Sequence, residues 1–158
     1  MERIRELAQR CRLPVAPSHY TPATLFATVM FSNPLGWFEV SNLPSAYRQS
    51  VSELVQVWRT HRDALFGGSI IPIGNQPDGY SPTGFLSLSG AHDSGYVLIF
   101  RELYDQDHFS MALPDVGLGK CQWEVLASGG TIDSKGDLLS VHIPDRLGFL
   151  FARFTCIK

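Results

Sequence analysis

Charged residues are scarce in this 158-residue chain: Asp, Glu, Lys and Arg make up 18% of it, against about 25% in an ordinary soluble domain. Hydrophobic residues reach 44% and mean hydropathy is +0.01, which predicts that part of the surface is normally covered. The low hydrophobicity that marks disorder is missing, as are collagen-like and coiled-coil compositions. Long apolar runs are missing too. No stretch approaches the roughly 20 residues that cross a bilayer as a helix, so no membrane partner is expected. Positive charge is in no excess: the net charge is −2 and the pI about 6.2, so no nucleic-acid partner is expected either.

Cysteine is also sparse. Cys11, Cys121 and Cys156 are odd in number, widely spaced and without a CxxC pair. Buried thiols in a reducing compartment are the expectation. A cytoplasmic location fits, because the opening residues Met1 to Glu6 are charged and amphipathic rather than an apolar signal core. Metal-ligand spacing is lacking: His19, His61, His92, His108 and His142 form no HxH, HxxH or HxxxH, so no metal site is expected. Residues 114–120 miss the phosphate-loop pattern, with Pro114 in place of its first glycine and Cys121 in place of Ser or Thr. Ser87 and Ser89 do not form G-x-S-x-G, and their alternation predicts the polar face of a strand. No cofactor and no catalytic residue is expected from these patterns.

What is present divides the chain in two. Residues 1–66 carry seven basic and five acidic groups, and residues 67–158 carry six and ten. The texture changes at the same place. Residues 2–12 place Ile4, Leu7, Ala8 and Cys11 on one helical face. Thr21 before Pro22 predicts a helix start, followed by Ala23 to Phe31, apolar nearly all round. Ser45 to Phe66 predicts a long helix with Tyr47, Val51, Leu54, Val55, Trp58 and Leu65 on its core face. Arg48, Gln49, Ser52, Gln56 and Arg59 face solvent, and Gly67-Gly68 is the stop. Beyond Gly68 the period is two. Seven strands are predicted: 69–73, 83–88, 96–102, 108–113, 120–126, 137–142 and 147–154, with turns at Pro77-Asp78-Gly79, Asp93-Ser94-Gly95, Gly129-Gly130 and Lys135-Gly136-Asp137. The fold class expected is mainly β, an antiparallel β-sandwich over 67–158 preceded by a helical segment over 1–66.

Most carboxylates fall in turns, where Asp bonds its own backbone. Glu39 does not: it lies between Phe38 and Val40 in an apolar stretch, where burial raises a pKa or demands a partner. Trp37 beside Glu39 is the aromatic–acid pair with the character of a substrate-binding site, against the plainer reading of a structural hydrogen bond. Between residues 23 and 44 Glu39 is the sole charge. That stretch is expected to be exposed, disordered or buried in a homo-oligomer contact.

Several stretches together resemble one family. Residues 25–44 (LFATVMFSNPLGWFEVSNLP), 65–74 (LFGGSIIPIG), 77–85 (PDGYSPTGF) and 94–102 (SGYVLIFRE) follow in the order found where the catalytic barrel meets the sandwich in α-galactosidases of glycoside hydrolase family 36. The likeness runs from about residue 20 to 102. It implies a retaining glycosidase with two catalytic Asp residues on earlier barrel strands, and neither signature is present here. A (β/α)8 barrel needs about 200 residues or more. The resemblance therefore implies the C-terminal, non-catalytic part of a larger hydrolase. Its expected partners are the upstream barrel of the same protein and an oligosaccharide near Trp37 and Glu39. The competing reading is a free-standing carbohydrate-binding or interaction module, which needs an exposed aromatic platform; Tyr80, Tyr96 and Tyr104 are its candidates.

Overall fold

The computed structural model describes residues 19–32, 34, 43–114 and 120–157. The helix expected over 2–12, and Trp37 and Glu39 with their surroundings, lie outside the described residues. Helix α1 spans Pro22–Ala27. Thr21 caps it: its backbone is extended and its hydroxyl accepts from the Thr24 N–H at 3.0 Å, with proline in the first turn. Helix α2 spans Ser45–Phe66 and buries Leu54, Trp58 and Leu65, while Arg48, Gln49, Ser52, Gln56 and Arg59 are exposed as the helical period requires.

Eight strands follow: β1 Ser69–Gly74, β2 Thr83–Leu88, β3 Ser94–Phe100, β4 His108–Ala112, β5 Lys120–Ala127, β6 Thr131–Lys135, β7 Leu138–His142 and β8 Phe149–Ile157. They form two antiparallel sheets, one ordered β1-β2-β3-β8-β5 and the other β4-β7-β6. The described chain is thus mainly β, with two helices ahead of the sheets. Strand β6 was not among the seven predicted. Its sequence TIDSK carries one large apolar residue, Ile132, too weak a signal to register as alternation. Pairing with β7 from Thr131↔His142 to Lys135↔Leu138 makes it a strand. Strand β3 stops at Phe100, two residues short of the predicted end, because Arg101 and Glu102 turn the chain.

Three layers result. Val97 and Ile99 of β3, with Leu150, Ala152, Phe154 and Cys156 of β8, join Phe109 and Met111 of β4 and Leu139 and Val141 of β7 in a core shared by both sheets. The alternate residues Tyr96, Leu98, Phe100, Phe149 and Phe151 face the other way and pack on Ala27, Met30, Phe31, Leu54, Trp58 and Leu65. Central strands β3 and β8 are therefore apolar on both faces, which is why their sequences read as runs rather than alternations. This layering bears on the described part of residues 23–44. Val29 there is 38% exposed, but Ala27, Met30 and Phe31 are buried at 0%, 0% and 8% exposure, covered by the chain's own sheet.

One polar contact holds the helical layer together and a second holds it to the sheet. The Trp58 indole N–H donates to the Met30 carbonyl at 2.8 Å, and the Ser87 hydroxyl donates to the Leu65 carbonyl at 2.6 Å. Ser87 is therefore not on a solvent face, as its alternation suggested: the end of α2 lies over it. The same approach explains the helix stop. A Cβ on Gly68 would lie 2.6 Å from the Ser87 hydroxyl oxygen and 2.8 Å from the Leu88 carbonyl. Gly68→Ala is expected to lose about 1–3 kcal/mol by overpacking. Gly90→Ala, where the added carbon meets nothing within 4 Å, should stay within about 0.5 kcal/mol. Urea melts of both variants check the contrast, and equal midpoints would show that the helix end is free to lift.

The cysteine expectation is also corrected. Cys121 and Cys156 stand opposite one another in the β5–β8 ladder and are joined by a disulfide. Widely spaced in sequence, they meet because β8 and β5 are sheet neighbours. The inference to a reducing compartment, which rested on unpaired thiols, goes with that reading.

Candidate functional site

Two groups of polar side chains stand out among the described residues. The first gathers where β3 ends. Arg101 is 4% exposed and has no carboxylate beside its guanidinium in the bonds it makes. Four backbone carbonyls take its N–H groups instead: Nε donates to Tyr104 at 3.0 Å, Nη1 to Ile143 at 3.0 Å and to Pro144, and Nη2 to Asp105 at 2.9 Å. The planar fork matches carbonyls diverging from two loops. It ties the β3–β4 connection to the β7–β8 connection.

Glu102, next along, has a left-handed backbone at φ 54°, as does Leu147 at φ 58°. The two meet through Leu147 N–H to Glu102 C=O at 2.8 Å. The Glu102 side chain lines a cavity of about 110 Å³ with Tyr20, Thr24, Thr28 and Leu147. Burial, and after it the charge of Asp78, holds the Glu102 carboxyl above the usual glutamate range. Burial and then Glu102 hold the Tyr20 phenol above its own. Asp78 behaves in the opposite sense. It accepts from the Ser81 and Tyr80 N–H groups at 2.7 and 2.8 Å, and these bonds lower its pKa. That is the local turn role expected of an aspartate after proline.

A carboxyl whose pKa is raised on folding binds its proton more tightly in the folded chain than in the unfolded one. Ionisation therefore costs stability as pH rises from the ordinary glutamate range through the raised value. Glu102→Gln removes that dependence. The variant should match the wild type at low pH and gain on it through this window, with the gain level at higher pH. Melting temperatures across a pH series check this; parallel curves would contradict it.

The second group lies on the outer face of the three-stranded sheet. His108 of β4 and His142 of β7 are direct partners in the ladder, their rings stacked at 4.0 Å and 15°. Asp107 bonds His108 Nδ1 at 2.9 Å and lies 3.8 Å from His142 Nε2. The His108 bond first, with the histidine charges, lowers the Asp107 pKa.

The aromatic residues are placed otherwise than a binding platform needs. Tyr96 is buried against Phe151, Tyr104 packs edge-on to Phe109 and Tyr80 is exposed on a turn. They do not converge. Trp58 is buried under the helices, and Trp123 packs on Phe154 while its indole donates to Ser134. The cavity at Glu102 and two others, of about 210 and 290 Å³, fall below the roughly 300–1,000 Å³ usual for a small-molecule pocket.

No family model, curated protein or solved structure matches this chain.

Sequence reasoning named Trp37 and Glu39, which lie outside the described residues. It did not name Arg101, Glu102, Asp107, His108 or His142 as site residues. Histidine spacing along the chain could not show the last pair, since 34 positions separate partners that only strand pairing brings together. Glu102 carried a weak signal, as a carboxylate at the end of the apolar strand predicted over 96–102.

Proposed function

We propose that this chain is the C-terminal, non-catalytic part of a retaining glycoside hydrolase acting on α-galactosides or related α-glycosides. In this reading residues 1–66 correspond to the end of the catalytic barrel. Residues 67–158 form a β-sandwich accessory domain that supports the barrel. The observation that carries this reading is where the residues of the resemblance fall. Gly68 permits the close approach of helix end to sheet, Asp78 closes a turn, and Arg101 ties two loops together. Each of these jobs is structural. A support must also be joined stiffly to what it supports, and the buried helix–sheet layer with its Ser87–Leu65 bond supplies such a joint.

The test is to express the reading frame that extends upstream of Met1 alongside this chain alone, and to assay both on an aryl α-galactoside. The expected result is turnover by the long product and none by the chain alone. A genuine start at Met1 with no barrel-coding sequence before it, or turnover by the isolated chain, would overturn the reading.

A further inference from the structure

We propose that Asp107, His108 and His142 form a binding site for a late first-row divalent cation, with zinc as its natural probe. The three residues offer two imidazole nitrogens and a carboxylate oxygen, all within 4.8 Å of one another. That donor set suits zinc, nickel or copper, and it does not suit magnesium or calcium, which take oxygen ligands.

The site stands on rigid elements. His108 and His142 are cross-strand partners, so their Cβ atoms are held within the few ångströms typical of such pairs. The neighbours Phe109 and Val141 are locked into the core at 9% and 2% exposure. Asp107 is fixed one step beyond the ladder by the Ile143 N–H, which donates to its carbonyl at 2.9 Å. Only side-chain rotation separates this arrangement from ligation. Two nitrogens on tetrahedral zinc lie about 3.3 Å apart, given Zn–N bonds near 2.0–2.1 Å. Stacked rings point their lone pairs side by side, so one imidazole must turn for both nitrogens to face a common ion. His108 is exposed, and its turning exchanges the Asp107 bond and the ring stack for the ion. Three protein ligands leave the remaining coordination position to water. The inference is independent of the glycosidase reading, since it draws on no residue of that resemblance.

The test is calorimetric titration of the untagged, chelator-treated full chain with zinc chloride at neutral pH, with cobalt(II) absorption as a second readout. One ion per chain is expected, together with the visible bands of cobalt held by nitrogen and oxygen. His108→Ala and His142→Ala should each weaken binding by about tenfold or more, and Asp107→Asn should weaken it to a smaller degree. His92→Ala, on the exposed β2–β3 turn, should bind as the wild type does. Circular dichroism of every variant separates lost ligation from lost fold. Absence of saturable binding by the wild type, or unchanged affinity in a folded His142→Ala, would overturn the proposal.

Discussion

Replacing Arg101 with methionine is expected to destabilise the chain by about 3 kcal/mol, a large share of the 5–15 kcal/mol typical of a folded domain. Four carbonyls, of Tyr104, Asp105, Ile143 and Pro144, point at one buried guanidinium. Methionine fills similar volume but leaves all four without that donor. Each hydrogen bond to a charged group is worth about 1.5–3 kcal/mol, and the buried Ile143 carbonyl keeps its desolvation cost when the donor goes, while the other three acceptors are part-buried. The four bonds act as a unit, so their values do not add. Arg101→Lys should recover only part of the loss, because an ammonium is a point donor and cannot span carbonyls from two loops. Urea unfolding measures both. An Arg101→Met midpoint within about 1 kcal/mol of wild type would mean that water replaces the guanidinium freely and the loops are not held by it.

The second large effect is expected at Phe151. It is fully buried at 0% exposure, stacked with Tyr96 at 5.9 Å and edge-on to Phe31 at 6.2 Å. With Phe149, its ring brings central strand β8 against the helical layer. Phe151→Ala should cost about 3–5 kcal/mol. Its neighbour Leu150 is equally buried but faces the other sheet, and Leu150→Ala should cost about 2–5 kcal/mol. The two losses differ in where they act. Hydrogen exchange should quicken first in α2 for Phe151→Ala, and first in β4 and β7 for Leu150→Ala. Equal loosening of all elements in both variants would show one cooperative core rather than two layers.

Much of the secondary structure was legible in the sequence because it rests on local chemistry. Thr21-Pro22 places a cap and a first-turn proline next to each other, and those atoms interact within three residues. The long helix shows the 3.6-residue spacing of Leu54, Trp58 and Leu65, and Gly68 marks where the chain must pass close to β2. Most strands were readable from period-two alternation. β6 was not, since its place depends on β7 rather than on its own residues. The candidate sites were harder to read. Ser87 looked like a solvent-facing hydroxyl because nothing in its neighbourhood along the chain reveals that a helix end lies above it.

The sequence by itself determined the order of the two described helices and of seven of the eight strands, the mainly β character, and the turn roles of residues such as Asp78. These follow from interactions over a few residues, which the chain carries wherever it goes. Only the tertiary structure decided which strands are neighbours. That pairing joins Cys121 to Cys156, stacks His108 on His142, and turns the charge-poor stretch near Phe31 into a layer buried on the protein's own sheet. Contacts of this kind span tens of residues. They arise from strand pairing and from the packing of one sheet between a second sheet and the helices, which no local pattern encodes.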